Sequence, residues 1–136
     1  AVSRPERIKA VVLLAPAPDF TEKLMWAGFD EAIRNTIMTD GIYYEPSDYD
    51  EPYEISRALI LDGRKQQILD APIKIDAPVH ILQGMADTSV PWHHATKVTN
   101  ALTSQDVTLT LIKSGDHSLS RPEDLERLAQ AVVAVS

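Results

Sequence analysis

Two apolar runs that each end in a turn, joined by a helical segment that starts with proline, constrain this chain more than anything else in it. Residues 78–84 read PVHILQG, residues 91–103 read PWHHATKVTNALT, and residues 106–114 read DVTLTLIKS. The outer two have strand character, and the middle one places Ala95, Val98 and Leu102 on one helical face. A strand, a helix and a second strand joined by a right-handed crossover make the two strands parallel neighbours. Pro91 sits where a first-turn proline is tolerated, and Ser89 is expected as the N-cap. Val107, Leu109 and Leu111 alternate with Thr108 and Thr110, which predicts a strand with one wet face, near a sheet edge.

The rest of the chain extends this unit. IKAVVLLA (8–15) is apolar throughout and reads as a strand buried on both faces, as in a parallel sheet. Phe29, Ala32, Ile33 and Ile37 have helical spacing, GIYYEPSDYDEPYEIS reads as a β-hairpin or a pair of extended segments, and RALILDGRKQQIL (57–69) reads as a helix weakened by Gly63. Ser120 and Glu123 match a capping box ahead of DLERLAQAVVAV, in which Leu125, Leu128, Ala129 and Val132 share a face. The expected architecture is one α/β domain over residues 1–136, with about three parallel strands flanked by helices. A long insert at about 19–76 interrupts it, and connections of that length are usually lids or binding elements.

Composition removes several function classes. A formal net charge of -7 argues against binding a phosphate backbone, which needs clustered Lys and Arg. With no cysteine, disulfide frameworks, thiolate zinc sites and cysteine nucleophiles are excluded. AVVLLAPAP (10–18) is too short to span a bilayer. AVSRPERIK has no initiating Met and no signal-peptide layout, so the start is expected to be a truncation and the setting cytoplasmic.

In open parallel sheets, reactive groups lie at the carboxyl ends of strands. Asp87 follows VHIL (79–82) and His117 follows LTLI (109–112). Adjacent strands are about 4.8 Å apart, so both loops emerge on one edge and the two side chains can meet. An aspartate on one imidazole nitrogen fixes the tautomer and leaves the other nitrogen free to take a proton from a nucleophile. Each residue taken singly is equally a turn residue, since Gly and Asp favour turns. Their order on consecutive parallel strands is what favours the pair.

These segments resemble the C-terminal half of a serine α/β-hydrolase. ILQGMADTSVPWHHA is similar to that family's segment around its acid, LIKSGDHSLSRPEDLERL to its histidine loop and last helix, and RPERIKAVVLLAPAPDF to its sixth strand. Within the family the chain resembles the esterase and thioesterase branch of α/β-hydrolase domain-containing protein 10. The resemblance implies a partial α/β-hydrolase fold with a lid-like insert, and a serine esterase or acyl-protein thioesterase activity without cofactor or metal. It assigns Asp87 as the orienting acid and His117 as general base, then general acid. The family order of serine, acid and histidine places the nucleophile upstream. None of the five glycines, Gly28, Gly41, Gly63, Gly84 and Gly115, begins a G-x-S-x-G. The chain by itself is therefore expected to be inactive. Strand 8–15 is expected to be an exposed edge that docks on the N-terminal half of the hydrolase or on a second copy. The expected substrate is a small-molecule or acyl-protein ester or thioester, with no nucleic acid and no membrane span. The alternative is an inactive fragment or interaction module that keeps the fold. Peptide or carbon–halogen cleavage is a third possibility, since the nucleophile that would decide it is not visible.

Met25, Trp26, Phe29 and Met38 are candidates to line an acyl pocket, and Trp92 to wall the site; each is equally ordinary core. His93 and His94 are adjacent on a helix and read as solvated, His80 as a packed or half-exposed strand residue, and Ser118 as a loop serine without an elbow. The acidic stretch EPSDYDEPYE reads as a hairpin tip rather than a Ca²⁺ loop, which needs defined ligand spacing.

Overall fold

The computed structural model describes residues 1–47 and 51–136, and the chain divides into two compact units, Ala1–Pro18 with Ile68–Ser136, and Asp19–Gln67. The first unit holds a three-stranded sheet of order β1-β4-β5, from β1 (Val11–Leu14), β4 (Val79–Gly84) and β5 (Val107–Ile112). Both pairings are parallel, with Val11 opposite Val79 and Val79 opposite Val107. Successive side chains alternate faces, and each face has its own core. On one, Val79 and Ile81 meet Ala95, Val98 and Leu102 of α3 (Trp92–Ala101 and its cap), together with Ile73 and Ile75. On the other, Leu82 and Ile112 meet Leu119 and Ala131 of α4 (Pro122–Val135).

Several sequence expectations are corrected here. β1 is half-buried rather than buried on both faces, and Leu14 is 44% exposed. Among the described residues β1 pairs with β4 alone, so one side lacks a neighbour. The N-cap position of α3 falls on Pro91, not Ser89, whose N–H serves Asp87 instead. The last helix starts at Pro122 with Arg121 at the N-cap position and no side-chain cap, so the Ser120–Glu123 capping box does not form. Its buried stripe runs through Asp124, Leu128, Ala131 and Val135; Leu125, Ala129 and Val132, expected inside, face outward. Leu111, expected on the dry face of β5, is also exposed. Ile73 bridges to Leu102 in a parallel sense, and its N–H donates to Ala101 O at 2.7 Å. Residues 68–76 therefore belong with the sheet, and the inserted unit ends at Gln67.

The second unit follows local rules. Asp30 Oδ1 accepts from Ile33 N–H and starts α1 (Glu31–Asp40), and Gly41 ends it at φ 87°, a backbone state glycine adopts freely. Phe29 thus precedes the helix that its spacing suggested. β2 (Ile42–Glu45) and β3 (Tyr53–Ser56) form the expected antiparallel hairpin. The central part of the acidic tip, 48–50, lies outside the described residues. Ser56 Oγ caps α2 (Arg57–Lys65) through Leu59 N–H. Ile37, Ile55 and Ile60 form the core of this unit.

Candidate active site

The site is built where β4 and β5 end. The parallel ladder continues past both strands, with Met85 N–H donating to Ile112 O at 2.9 Å and Ala86 N–H to Gly115 O at 3.0 Å. This needs two backbones in near contact. A Cβ on Gly84 would lie 2.5 Å from Gly115 C and 2.6 Å from Asp116 O, and one on Gly115 would lie 3.0 Å from Gly84 Cα. Glycine at both positions therefore lets the loop after β4 touch the loop after β5.

Asp87 and His117 meet across that contact. His117 Nδ1 lies 2.8 Å from Asp87 Oδ2. The carboxylate is otherwise fully engaged. Oδ1 accepts from Ser89 N–H and Val90 N–H, each at 2.8 Å, and Oδ2 also accepts from Gln83 Nε2 at 3.1 Å. Burial pushes the Asp87 carboxyl up, but the bonds from Val90 N–H, His117, Ser89 N–H and Gln83 outweigh it and hold the group below 3.8, its ordinary value. An ionised carboxylate can only accept, so the proton between the pair belongs on Nδ1. A neutral ring then carries its lone pair on Nε2. The Asp87 side chain is sealed from solvent, whereas that of His117 is 53% exposed. The arrangement can therefore hold one imidazole tautomer and present a general base.

The histidine loop is anchored on both sides of His117. Asp116 Oδ1 accepts from Leu119 N–H at 2.9 Å, and Leu119 adopts φ 46°. That left-handed state costs about 1–2 kcal/mol for a residue with a Cβ. Burying the Leu119 side chain against Leu82, Ile112 and Ala131 returns about 1.5–3 kcal/mol. Further along, Arg121 donates to Ser114 Oγ at 3.1 Å and grips Asp124 through two bonds of 2.6 and 3.1 Å. One guanidinium thus ties the start of the loop to its end. Arg127 adds a bond to Asp124 Oδ1 at 2.9 Å. The hydrogen bond from Arg121, opposed by burial and aided by the charges of both arginines, holds the Asp124 carboxyl below its ordinary range.

Met25, Trp26, Phe29 and Met38 are partly buried against Ile37, Ile55 and Ile60 within the second unit. The Trp26 ring lies under two guanidinium groups, Arg64 at 4.8 Å and Arg34 at 5.5 Å. Trp92 is half-buried and stacks on His93 with centroids 3.6 Å apart. His94, read as solvated, is 2% exposed, with Nε2 2.7 Å from Pro18 O. It precedes Ala95 and lies four residues before Val98, on the buried stripe of α3, so the signal was present. His80 is half-buried and bonds Thr110 Oγ1 at 2.9 Å. Ser118 is exposed. Among the described residues no group of three His, Asp or Glu could hold a metal, and no helix is long and apolar enough to cross a membrane. Sequence reasoning missed Gln83 and the Arg121–Asp124 grip, because polar residues in apolar segments carry no periodic signal.

No family model matches the chain. It is 29% identical over 134 residues to the mitochondrial palmitoyl-protein thioesterase ABHD10 of Pongo abelii, spanning 97% of this chain and 44% of that protein. Among solved structures, alpha/beta hydrolase domain-containing protein 10 from mouse matches with a TM-score of 0.87 at 27% identity, covering 98% of this chain and 54% of that one. A protein from Agrobacterium vitis S4, provisionally called a hydrolase, matches with a TM-score of 0.87 at 42% identity, covering 95% and 50%. The fold is thus that of an α/β-hydrolase, and the chain spans about half the length of the relatives it matches. The mitochondrial location in the thioesterase's name belongs to that protein.

Proposed function

We propose that this chain, a partial α/β-hydrolase domain homologous to palmitoyl-protein thioesterase ABHD10, supplies the acid and the histidine of a serine hydrolase acting on acyl esters or thioesters. The observation that carries this reading is the 2.8 Å bond from His117 Nδ1 to a buried, ionised Asp87. In the proposed cycle His117 Nε2 takes the proton of a serine hydroxyl as it attacks the acyl carbon. Asp87 stabilises the imidazolium that forms, and His117 then returns the proton to the leaving thiol or alcohol. A water activated by the same nitrogen releases the acid. The serine and the backbone N–H groups that hold the oxyanion come from polypeptide outside these 136 residues, which contain no G-x-S-x-G.

We also propose that the free edge of β1 is where that polypeptide or a second copy of this chain adds a strand. Among the described residues β1 pairs with β4 alone, which leaves its other edge open to a further strand. A monodisperse monomer by light scattering at high concentration would count against self-association. The test of the activity is reassembly. The chain mixed with a separately made segment carrying a G-x-S-x-G should hydrolyse p-nitrophenyl esters and take a serine-directed acylating probe on that segment. Stoichiometric labelling of the 136-residue chain alone would overturn the assignment. Reassembly without turnover would favour the second reading, an interaction module that keeps the fold.

A further inference from the structure

We propose that Gln83 is a positioning residue for the acid: its buried side-chain amide fixes and polarises Asp87 Oδ2, the oxygen that also takes His117 Nδ1. This deepens the acid–base reading of the pair and rests on it, but it is testable without catalysis.

Three observations carry the inference. Gln83 is 0% exposed at the end of β4, on the face where Val79 and Ile81 bury apolar side chains. Packing alone would favour another aliphatic residue there. Its Nε2 faces Gly84 O at 3.0 Å, Asp87 Oδ2 at 3.1 Å and Val90 O at 3.2 Å. All three neighbours only accept, so the amide orientation is set by chemistry, and two N–H groups serve three oxygens. Its Oε1 is buried and has no partner among the described residues. A buried polar atom left unsatisfied is unfavourable and calls for an explanation. The explanation is the nitrogen at the other end of the same amide.

That nitrogen does two things. It spans the turn from the end of β4 to Val90, just ahead of α3, and so closes the loop that displays Asp87. It also places a second donor on Oδ2. Two donors on one oxygen lower its basicity, so the carboxylate accepts from Nδ1–H without taking the proton. His117 is the titratable group bonded to Asp87 from the β5 side, while its own turn and the start of α3 offer the Ser89 and Val90 N–H groups. The nearby Asp116 is engaged by Leu119 N–H, and Arg121 by Asp124 and Ser114.

The experiment is a carboxyl ¹³C NMR titration of Asp87 in the 136-residue chain, in wild type, Gln83→Met and Gln83→Leu. Losing the amide donor should raise the Asp87 midpoint in both folded variants. An unchanged midpoint in a folded variant would overturn the proposal and leave Gln83 as packing. Should both variants unfold, the wild type decides. The Gln83 side-chain ¹⁵N–H signals should exchange slowly and shift with the Asp87 midpoint, and fast exchange with no such shift overturns the proposal. A His117→Ala control tests the pair separately. It too should raise the Asp87 midpoint, and no change there would sink the acid–base pairing while the Gln83 comparison stands by itself.

Discussion

Gly84→Ala is a single-methyl perturbation aimed at the contact on which the site depends. The new Cβ would sit 2.5 Å from Gly115 C, against an ordinary contact of 3.4 Å or more. The obstacle is backbone on a neighbouring loop, with Gly115 O nearer still, so no rotamer change relieves it, and the two loops must part by more than the roughly 0.9 Å that Gly115 C alone requires. Parting strains the Met85–Ile112 and Ala86–Gly115 ladder bonds, worth about 1 kcal/mol each. Overpacking adds about 1–3 kcal/mol, for a total of about 3–5 kcal/mol. In a chain of this size that lowers the melting temperature by roughly 9–15 °C. The same displacement would lengthen the 2.8 Å Asp87–His117 bond. Calorimetry reads the first effect and the His117 imidazole NMR signals read the second. Gly28→Ala is the control, since a Cβ there meets nothing within 4 Å. A Gly84→Ala chain that melts within about 2 °C of wild type and keeps the histidine signals would refute the close-approach account.

Three further outcomes are expected. In a reassembled, active enzyme, Asp87→Asn should lower kcat by roughly 10⁴-fold and His117→Ala by roughly 10⁶-fold, read with a chromogenic ester. Leu119→Ala removes the anchor of the histidine loop but keeps its left-handed backbone, and should cost about 2–4 kcal/mol by denaturant titration. Both Asp87 and Asp124 titrate below 3.8 in the folded chain, so the stability they contribute is present above that value and lost as pH falls through the lower folded values. Melting temperature should fall steeply at acid pH, and Asp124→Asn should flatten that fall while lowering stability at neutral pH.

What was legible in the sequence was what regular spacing encodes. The β4–α3–β5 unit and the carboxyl-end placement of Asp87 and His117 follow from strand runs, a proline-started helix and turn residues. The reading failed where a polar side chain is buried for a specific partner. In the last helix apolar spacing picks out Leu125, Leu128, Ala129 and Val132, of which only Leu128 faces inward, because the buried stripe contains Asp124, whose charge is met by two arginines. Gln83 lies at the end of a strand, and nothing in its spacing showed that its side chain is fully buried against Asp87. His94 was discounted for its neighbour His93, although it lies in line with Val98 and Leu102. Phe29 shares the spacing of α1 but precedes it, because Asp30 caps the helix and starts it afresh.

The central claim is that Asp87 holds one tautomer of His117. A long-range ¹H–¹⁵N NMR spectrum of the chain under alkaline conditions, where the ring is neutral, reads this directly, with His117→Ala supplying the assignment. The account requires a protonated Nδ1, an unprotonated Nε2, and a low-field Nδ1–H resonance that vanishes in Asp87→Ala. A proton on Nε2 instead, or a His117 spectrum indifferent to the loss of Asp87, would contradict it.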